Sequence, residues 1–597
     1  MEKNILTKSE KFKAEYCASV VRVGELVPVD GSDFLAKTNV LGTQIVVRKD
    51  QVKEGDIMFY AANETALATK FLSLNNLFEI GCRDMNANAE EVGAIMREYE
   101  EKYKNEADAL RAQAKQIKSS IDGMTKAVNK AKKSLKKIED NYDSYDDAQK
   151  AGADSDKKNL TEKIDDYTKK SLEKTVEYTT LKKKVEELVE NGKPIVERAK
   201  KLCGFFNKYG RVRCVTLKNT PSFGFLFGVD EMAKFCPEVR ELNLEDYINS
   251  DFDTVGDELF IKAYVPPVKP EQKRGSKGEK RNSKLKRFDR LVEGEFSFHY
   301  DTCQLQKNMQ LINPEDLLTI SLKIHGTSAI FGKVKVREPK KLPIYKLIWN
   351  KFIDTTGLFK DKRVIDYNVV YGPVYSSRTV IKNRYINSEA NGGYYSTDIW
   401  SEYGDIIYPY LDEGMTVYGE IFGYLTGCQT MIQKQYDYGC SEGENAIMFY
   451  RITTVDEEGK KKEWNVSDVY DWTTRLIERM KEANDENWKR VHPIDILYHG
   501  TLENLYPEID TESHWHENVL EKMKNDKEHF GMEEYEPLCK NKVPREGVVV
   551  RIDDDKILEA FKLKTMSFAM GEALLYDDAN YTDIEVQQGD YDEVEEP

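Results

Sequence analysis

The chain has 597 residues, too many for one hydrophobic core, so several domains are expected. Its net charge of −16 argues against a protein that coats nucleic acid over its whole surface, though not against a local basic groove. No apolar run has the length of a membrane span and residues 1–11 lack a signal-peptide core, so a cytoplasmic, intracellular protein with no membrane partner is expected.

Residues 15–80 read as short strands. "CASVVRVGELVPV", "TQIVVRK" and "GDIMFYA" alternate or carry β-branched runs, with "VDGSD" and "KEGD" as turns. Near Ala87 the pattern changes. Ile117, Ile121, Met124, Val128, Ala131, Leu135 and Ile138 form a heptad seam. "DNYDSYDDAQKAGADSD" breaks it. Tyr178, Leu181, Val185 and Leu188 resume the spacing, which stops at "ENGKP". Two such segments imply an antiparallel coiled-coil hairpin, about 70 Å long at 1.5 Å per residue. Strands return in "GRVRCVTLKN", "FGFLFGV" and "ELFIKAYVPPV". The hairpin therefore reads as an insertion into a small β-domain, whose size suits an oligonucleotide-binding (OB) barrel.

The expected domains are an OB-like domain over 1–86 and 201–267, interrupted by the hairpin at 87–200, and an α+β domain over 291–575. Between residues 269 and 290 there are ten Lys/Arg against three Asp/Glu, a basic linker (268–290) able to act as a solvated spacer or a phosphate contact. Residues 577–596 hold nine Asp/Glu and no Lys/Arg, and the segment 576–597 reads as an acidic disordered tail. The nine cysteines include no C-x-x-C pair and read as reduced thiols. His514 and His516 flank Trp515 without a cysteine or carboxylate frame, and read as surface rather than zinc ligands.

In the α+β domain each clear strand carries a charged residue among apolar neighbours. Lys323 sits in "LKIHG", Glu420 in "VYGEIFG" and Glu546 at the head of "EGVVVR". Lys562 and Lys564 alternate in "FKLKT", on one face of their strand. Buried singly, such charges are costly. Together they suit a polyanion and a metal: lysines neutralise phosphates, and carboxylates hold Mg²⁺ or a ribose hydroxyl. A lysine attacks phosphorus only as the free amine, a form that neighbouring cations favour. Gly326 allows close backbone approach to a ligand, and Thr327 and Ser328 add hydroxyls.

The blocks "KIHG", "SSRT", "VYGEIFG", "IMFYRIT", "EGVVVR" and "KLK" occur in the order found in covalent nucleotidyltransferases. "FHYDTCQLQKN", "KIHGTSAIFGK" and "MIQKQYDYG" resemble the Deinococcus-type ATP-dependent RNA ligases, which seal nicks and carry an N-terminal OB domain. The resemblance implies an ATP-grasp-like covalent nucleotidyltransferase domain. It makes Lys323 the residue that takes AMP, with Lys562 and Lys564 on the phosphates. It places Gly326, Arg378, Glu420, Phe449 and Glu546 at the nucleotide: Arg378 on the ribose or RNA end, Glu420 on the ribose, Phe449 stacked on the purine, and Glu546 serving the metal. Ile447, Phe449 and Arg451 are expected on one strand face, and a two-residue register shift would make Ile447 the stacking residue. The implied small molecules are ATP and Mg²⁺ or Mn²⁺, and the implied partner is RNA, as a nicked duplex. A protein partner or self-association through the coiled coil is a further expectation.

The resemblance leaves out the hairpin, the linker and the tail. With 33 residues after Lys564, a second OB domain behind the last block is not expected. Many relatives place a glutamate before the nucleophile where this chain has Leu322. Their common aspartate is His325 here, as in the OB-bearing ligases. Two other readings remain at this point: a GTP-dependent capping-type guanylyltransferase, and a non-catalytic RNA-binding scaffold using the coiled coil.

Overall fold

The structure is a computed structural model. It describes residues 5–264, 291–300, 302–356, 366–378, 380–382, 398–511, 514–553 and 559–577. The expected basic linker, and the expected acidic tail beyond residue 577, lie outside the described residues.

In the N-terminal part, β1 (Ala18–Arg22), β2 (Leu35–Val40), β3 (Thr43–Arg48) and β4 (Ile57–Ala61) precede a long helical excursion. Helix α1 (Ala89–Tyr99) runs through a π-helical turn, Glu100–Lys104, into α2 (Asn105–Asn141). Helix α3 (Asp147–Lys200) packs back along α2 and α1. The chain then re-enters the sheet with β5 (Phe225–Phe227) and β6 (Asp251–Phe252), in the order β5-β4-β1-β6. Phe225 pairs with Ala61 and Asp251 with Ser19, so strands from both sides of the excursion share one antiparallel sheet. Phe59, Phe71, Phe227, Phe252 and Phe260 fill its core.

Two expectations about the helices are corrected. The break between them is not the whole of "DNYDSYDDAQKAGADSD". Helix α3 already starts at Asp147, because Asp146 caps it: the Gln149 N–H donates to Asp146 Oδ1 (2.8 Å), and the Asp146 N–H donates to Gln149 Oε1 (3.0 Å). Nor does α3 stop at "ENGKP"; it continues through Gly192 and Pro194 to Lys200. Tertiary contact overrides the breakers here. Tyr99 packs so closely that a Cβ on Gly192 would lie 2.5 Å from its ring.

The second part has two antiparallel-rich sheets. Strands β7 (Leu318–Lys323), β12 (Ile496–Gly500), β13 (Gly547–Ile552) and β14 (Glu559–Lys564) form the first, in the order β14-β13-β7-β12, with Cys303–Gln304 on the outer edge of β14. The second, seven-stranded sheet is built around β8 (Thr327–Pro339), β9 (Tyr367–Ser376), β10 (Met415–Gly423) and β11 (Asn445–Val455), in the order β9-β8-β10-β11. Between β8 and β9 lies helix α4 (Ile344–Thr356). Helices α5 (Ile399–Ile407) and α6 (Val466–Glu482) cover the second sheet, and α7 (Met566–Asp577) follows β14.

Helix α6 shows why these segments are helical. Asn465 accepts from the Asp468 N–H (2.8 Å), and Val466, Val469, Thr473, Leu476 and Met480 follow at helical spacing on the buried side. Under this sheet, the fully buried Trp400 on α5 donates its Nε1–H to the Ser328 carbonyl (2.9 Å), tying the start of β8 to the core. Trp400→Ala is expected to cost about 3–5 kcal/mol. Reduced hydrogen-exchange protection of β8 and β10 would register it; unchanged protection would contradict it.

Candidate active site

Strand β7 ends at Lys323 in the first sheet, and β8 starts at Thr327 in the second. The stretch "IHG" is the crossing between them. A Cβ on Gly326 would lie 2.3 Å from the Ile421 carbonyl oxygen and 2.8 Å from Glu420 Cγ, so only glycine fits. The Gly326 N–H donates to Glu420 Oε1 (3.1 Å), and its carbonyl accepts from Gln433 Nε2 (2.7 Å). The His325 N–H donates to the Tyr438 hydroxyl (2.8 Å). The His325 ring stands edge-on to Tyr436 and Phe568, both centroids at 5.0 Å. Burial pushes the imidazole below its ordinary value, so it is neutral at neutral pH.

Register then assembles the charges. Lys323 pairs with Gly547, and Gly547 pairs with Lys564 on β14. Glu546, just before β13, is only 3% exposed. Its Oε1 lies 2.9 Å from Lys323 Nζ and 4.0 Å from Lys564 Nζ. Lys564 also donates to both oxygens of Glu572 on α7, at 2.9 and 2.8 Å. Burial works against the Lys564 ammonium, but Glu572 and Glu546 outweigh it and raise its pKa. In turn Lys564 holds Glu572 below the usual carboxylate range against the effect of burial. Lys562 donates to Glu15 of the N-terminal part (3.2 Å). Burial, with help from Lys564 and Lys323, lowers the Lys562 pKa in spite of Glu15.

A cavity of about 130 Å³ opens beside Lys323, walled by Glu420, Met448, Tyr450, Arg451 and Val549. A larger cleft of about 1150 Å³ separates the N-terminal sheets from β14 and α7. Tyr16, Glu64, Lys524, Lys562, Lys564 and Glu572 line it. Contacts among the described residues that bridge its sides include Glu15–Lys562, Lys307 Nζ to the Ala14 carbonyl (3.3 Å), and Lys524 to the Gly42 carbonyl.

The structure thus gathers Lys323, Gly326, Glu420, Glu546, Lys562 and Lys564. It corrects the expectation for Phe449, which is fully buried in the core against Phe331 and Trp472, with centroids at 6.5 and 5.9 Å. Ile447 lies in the same core. The pairing of β10 and β11 slips between Tyr418 and Gly419: Tyr418 faces Arg451 while Gly419 faces Phe449. This irregularity separates Arg451 from Ile447 and Phe449 and puts it on the cavity wall, beyond Met448 and Tyr450. Arg378 is partly exposed, and its carbonyl accepts from the His299 N–H (3.4 Å); it is not among the residues lining that cavity. Leu322 packs with Ile324, Phe422, Tyr436 and Tyr438, an apolar setting in which a glutamate would be costly.

Several participants escaped the sequence reading. Gln433, Tyr436 and Tyr438 lie in "MIQKQYDYG", which the sequence marks only by resemblance; Gln433 and Tyr438 hold the backbone at Gly326 and His325, and Tyr436 packs on the His325 ring. Glu572 stands eight residues past Lys564, on the helix that follows its strand, and Glu15 is 547 residues from its partner. No local pattern marks either.

A divalent metal fits Glu546. Its Oε2 is buried without a hydrogen-bond partner, an arrangement that a cation would satisfy. Among the described residues no group of three or more His, Cys, Asp or Glu could hold a metal. One carboxylate, with the remaining ligands from phosphate and water, is the mode that suits Mg²⁺.

No protein-family model matches the chain, and no curated protein matches it. Among solved structures it is similar to Naegleria gruberi RNA ligase. A variant of that enzyme with ATP and Mn shows 12% identity and a TM-score of 0.42 over 93% of this chain and 98% of that one. A variant with AMP and Mn gives 12% and 0.41 over 94% and 99%, and the ligase with pyrophosphate gives 12% and 0.40 over 95% and 99%.

Two outcomes are expected from this geometry. Tyr438→Phe leaves the buried His325 N–H without its acceptor and should cost about 1–3 kcal/mol, measurable as a lowered denaturation midpoint. Glu572→Gln removes the carboxylate that raises Lys564, so Lys564 should become reactive to amine-labelling reagents at lower pH than in the wild type. Identical labelling profiles would refute the coupling.

Proposed function

We propose that the chain is an ATP-dependent RNA ligase joining 3′-OH and 5′-phosphate ends, at nicks in duplexes, through a covalent lysyl–AMP intermediate. The observation that carries this reading is the approach of Lys323 and Lys564 to one buried carboxylate, Glu546, at the mouth of a cavity bearing Glu420. The motif order described above supports it as well.

Lys323 Nζ, as the free amine, attacks the α-phosphorus of ATP. The N–P bond forms, the bond to the bridging oxygen breaks, and pyrophosphate leaves with the electron pair. Lys562 and Lys564 offset the charge gathering on the phosphate oxygens. Glu546 would hold Mg²⁺ or Mn²⁺, which when bound would supply further positive charge there. Lys323 Nζ lies 2.9 Å from Glu546 Oε1 and leaves that contact to reach the α-phosphorus. The carboxylate of Glu420 accepts a ribose hydroxyl, and Tyr450 and Met448 flank the base from β11 while Val549 flanks it from β13. AMP then passes to an RNA 5′-phosphate, and the 3′-hydroxyl displaces it. The OB-like N-terminal domain holds the duplex beside the nick through phosphate and 2′-hydroxyl contacts.

The test is incubation with ATP labelled at the α-phosphate. The wild type should become covalently labelled, Lys323→Ala should not, and Lys564→Met should label about 100-fold more slowly. Labelling from GTP alone, or nick sealing by Lys323→Ala at the wild-type rate, would overturn the proposal.

A further inference from the structure

Helix α4 (Ile344–Thr356) is turned inside out. Asn350 is buried, 9% exposed, and Lys346 is half-buried. Ile344, Tyr345, Leu347, Ile348, Trp349 and Phe352 are all exposed, Ile344 at 76% and Ile348 at 65%. At 3.6 residues per turn these six occupy one broad outward arc, which also takes in Lys351, and Lys346 and Asn350 lie opposite it. A surface helix ordinarily buries its apolar arc. One that presents such an arc to water marks a docking surface.

The position of the helix supports this. It sits at the far end of the β8–β9 ribbon, just beyond the pair Pro339 and Tyr367. On the same end of β9, Tyr367 and Val369 are exposed too. The rings of Trp349 and Phe352 are stacked at 5.9 Å, a rigid aromatic wedge on the outer face.

Charge selects the occupant. From residue 337 to the end of α4 at residue 356 there are five basic residues, Arg337, Lys340, Lys341, Lys346 and Lys351, against two acidic ones, Glu338 and Asp354, in a chain of net charge −16. A second copy would bring the same basic patch against this one. A nucleic-acid backbone would match the lysines and leave the Ile and Trp side chains in water. We infer that α4 is an interfacial anchor that lies on an anionic phospholipid surface. Its apolar arc enters the boundary between headgroups and acyl chains, Trp349 and Tyr345 sit at headgroup depth, and the exposed Lys340 and Lys341 meet lipid phosphates and carboxylates. This departs from the expectation of no membrane partner, which rested on the want of a spanning segment. No described helix is long and apolar enough to cross a membrane, and an anchor lying in the interface requires none.

The anchor is independent of the ligase reading, and its test does not use activity. The full chain is mixed with phosphatidylcholine vesicles, or with phosphatidylcholine–phosphatidylserine vesicles, and floated on a density gradient. The wild type should float with the anionic vesicles and release them as salt is raised. Ile344→Glu/Ile348→Glu should weaken flotation by about tenfold or more, as should Lys340→Glu/Lys341→Glu. Both pairs are exposed, so the melting curve should be unchanged; if the first pair shifts it, Trp349→Ser is read instead. The inference is overturned if the wild type stays with the protein-only fraction or if the apolar variant floats as well as the wild type. Concentration-dependent dimers that Ile348→Glu dissolves, without flotation, would overturn it in favour of a second copy. Saturable capture by an acidic protein without flotation would overturn it in favour of a protein partner.

Discussion

A buried carboxylate with one satisfied and one unsatisfied oxygen is the constraint on which this molecule turns. Glu546 sits where water cannot solvate it, so it must take charge from elsewhere. Lys323 supplies that charge at one oxygen, with Lys564 behind it. Removing Lys323 leaves the buried Glu546 with Lys564, 4.0 Å away, as a more distant cation, and a buried carboxylate that loses a partner costs more than a pair never built. The strand register is what keeps the group intact, because Lys323, Gly547 and Lys564 sit side by side on three neighbouring strands.

Around that carboxylate the charges alternate. Glu15 lies on Lys562 and Glu572 on Lys564, so each phosphate-binding candidate already has a carboxylate partner. A phosphate that reaches Lys562 has to displace Glu15. Because Glu15 belongs to the N-terminal part, occupation of the phosphate positions and docking of that part draw on the same cation. On the proposed function, nucleotide state and domain placement would be linked through this one ion pair.

What could be read from the chain alone follows from how local each signal is. Alternation in "GDIMFYA" and "VYGEIFG" marks strands because the side-chain period is set within a few residues. The seam from Ile117 to Ile138 is legible for the same reason. Capping by Asp146 is equally local, but it sits inside a run of polar residues that reads as a break. The separation of Arg451 from Phe449 is not legible in the chain because a single slip in strand pairing reverses the facing of every residue beyond it, and no residue type announces that slip. The persistence of α3 through Gly192 and Pro194 depends on Tyr99, about ninety residues away in sequence. Glu15 and Glu572 become visible only once the chain has folded, since a carboxylate on a surface-type sequence looks like any other.

The long helix α3 has a mechanical consequence. Its 54 residues make a rod of about 80 Å, packed at its base against Tyr99 in the N-terminal part, which also holds Glu15. Any rotation of that part about the cleft would be magnified at the far end: a tenth of a radian at the base moves the tip by about 8 Å, more than one helical pitch. The hairpin is therefore a pointer, and whatever touches its tip feels small displacements at the ion pair between Glu15 and Lys562 as a large stroke.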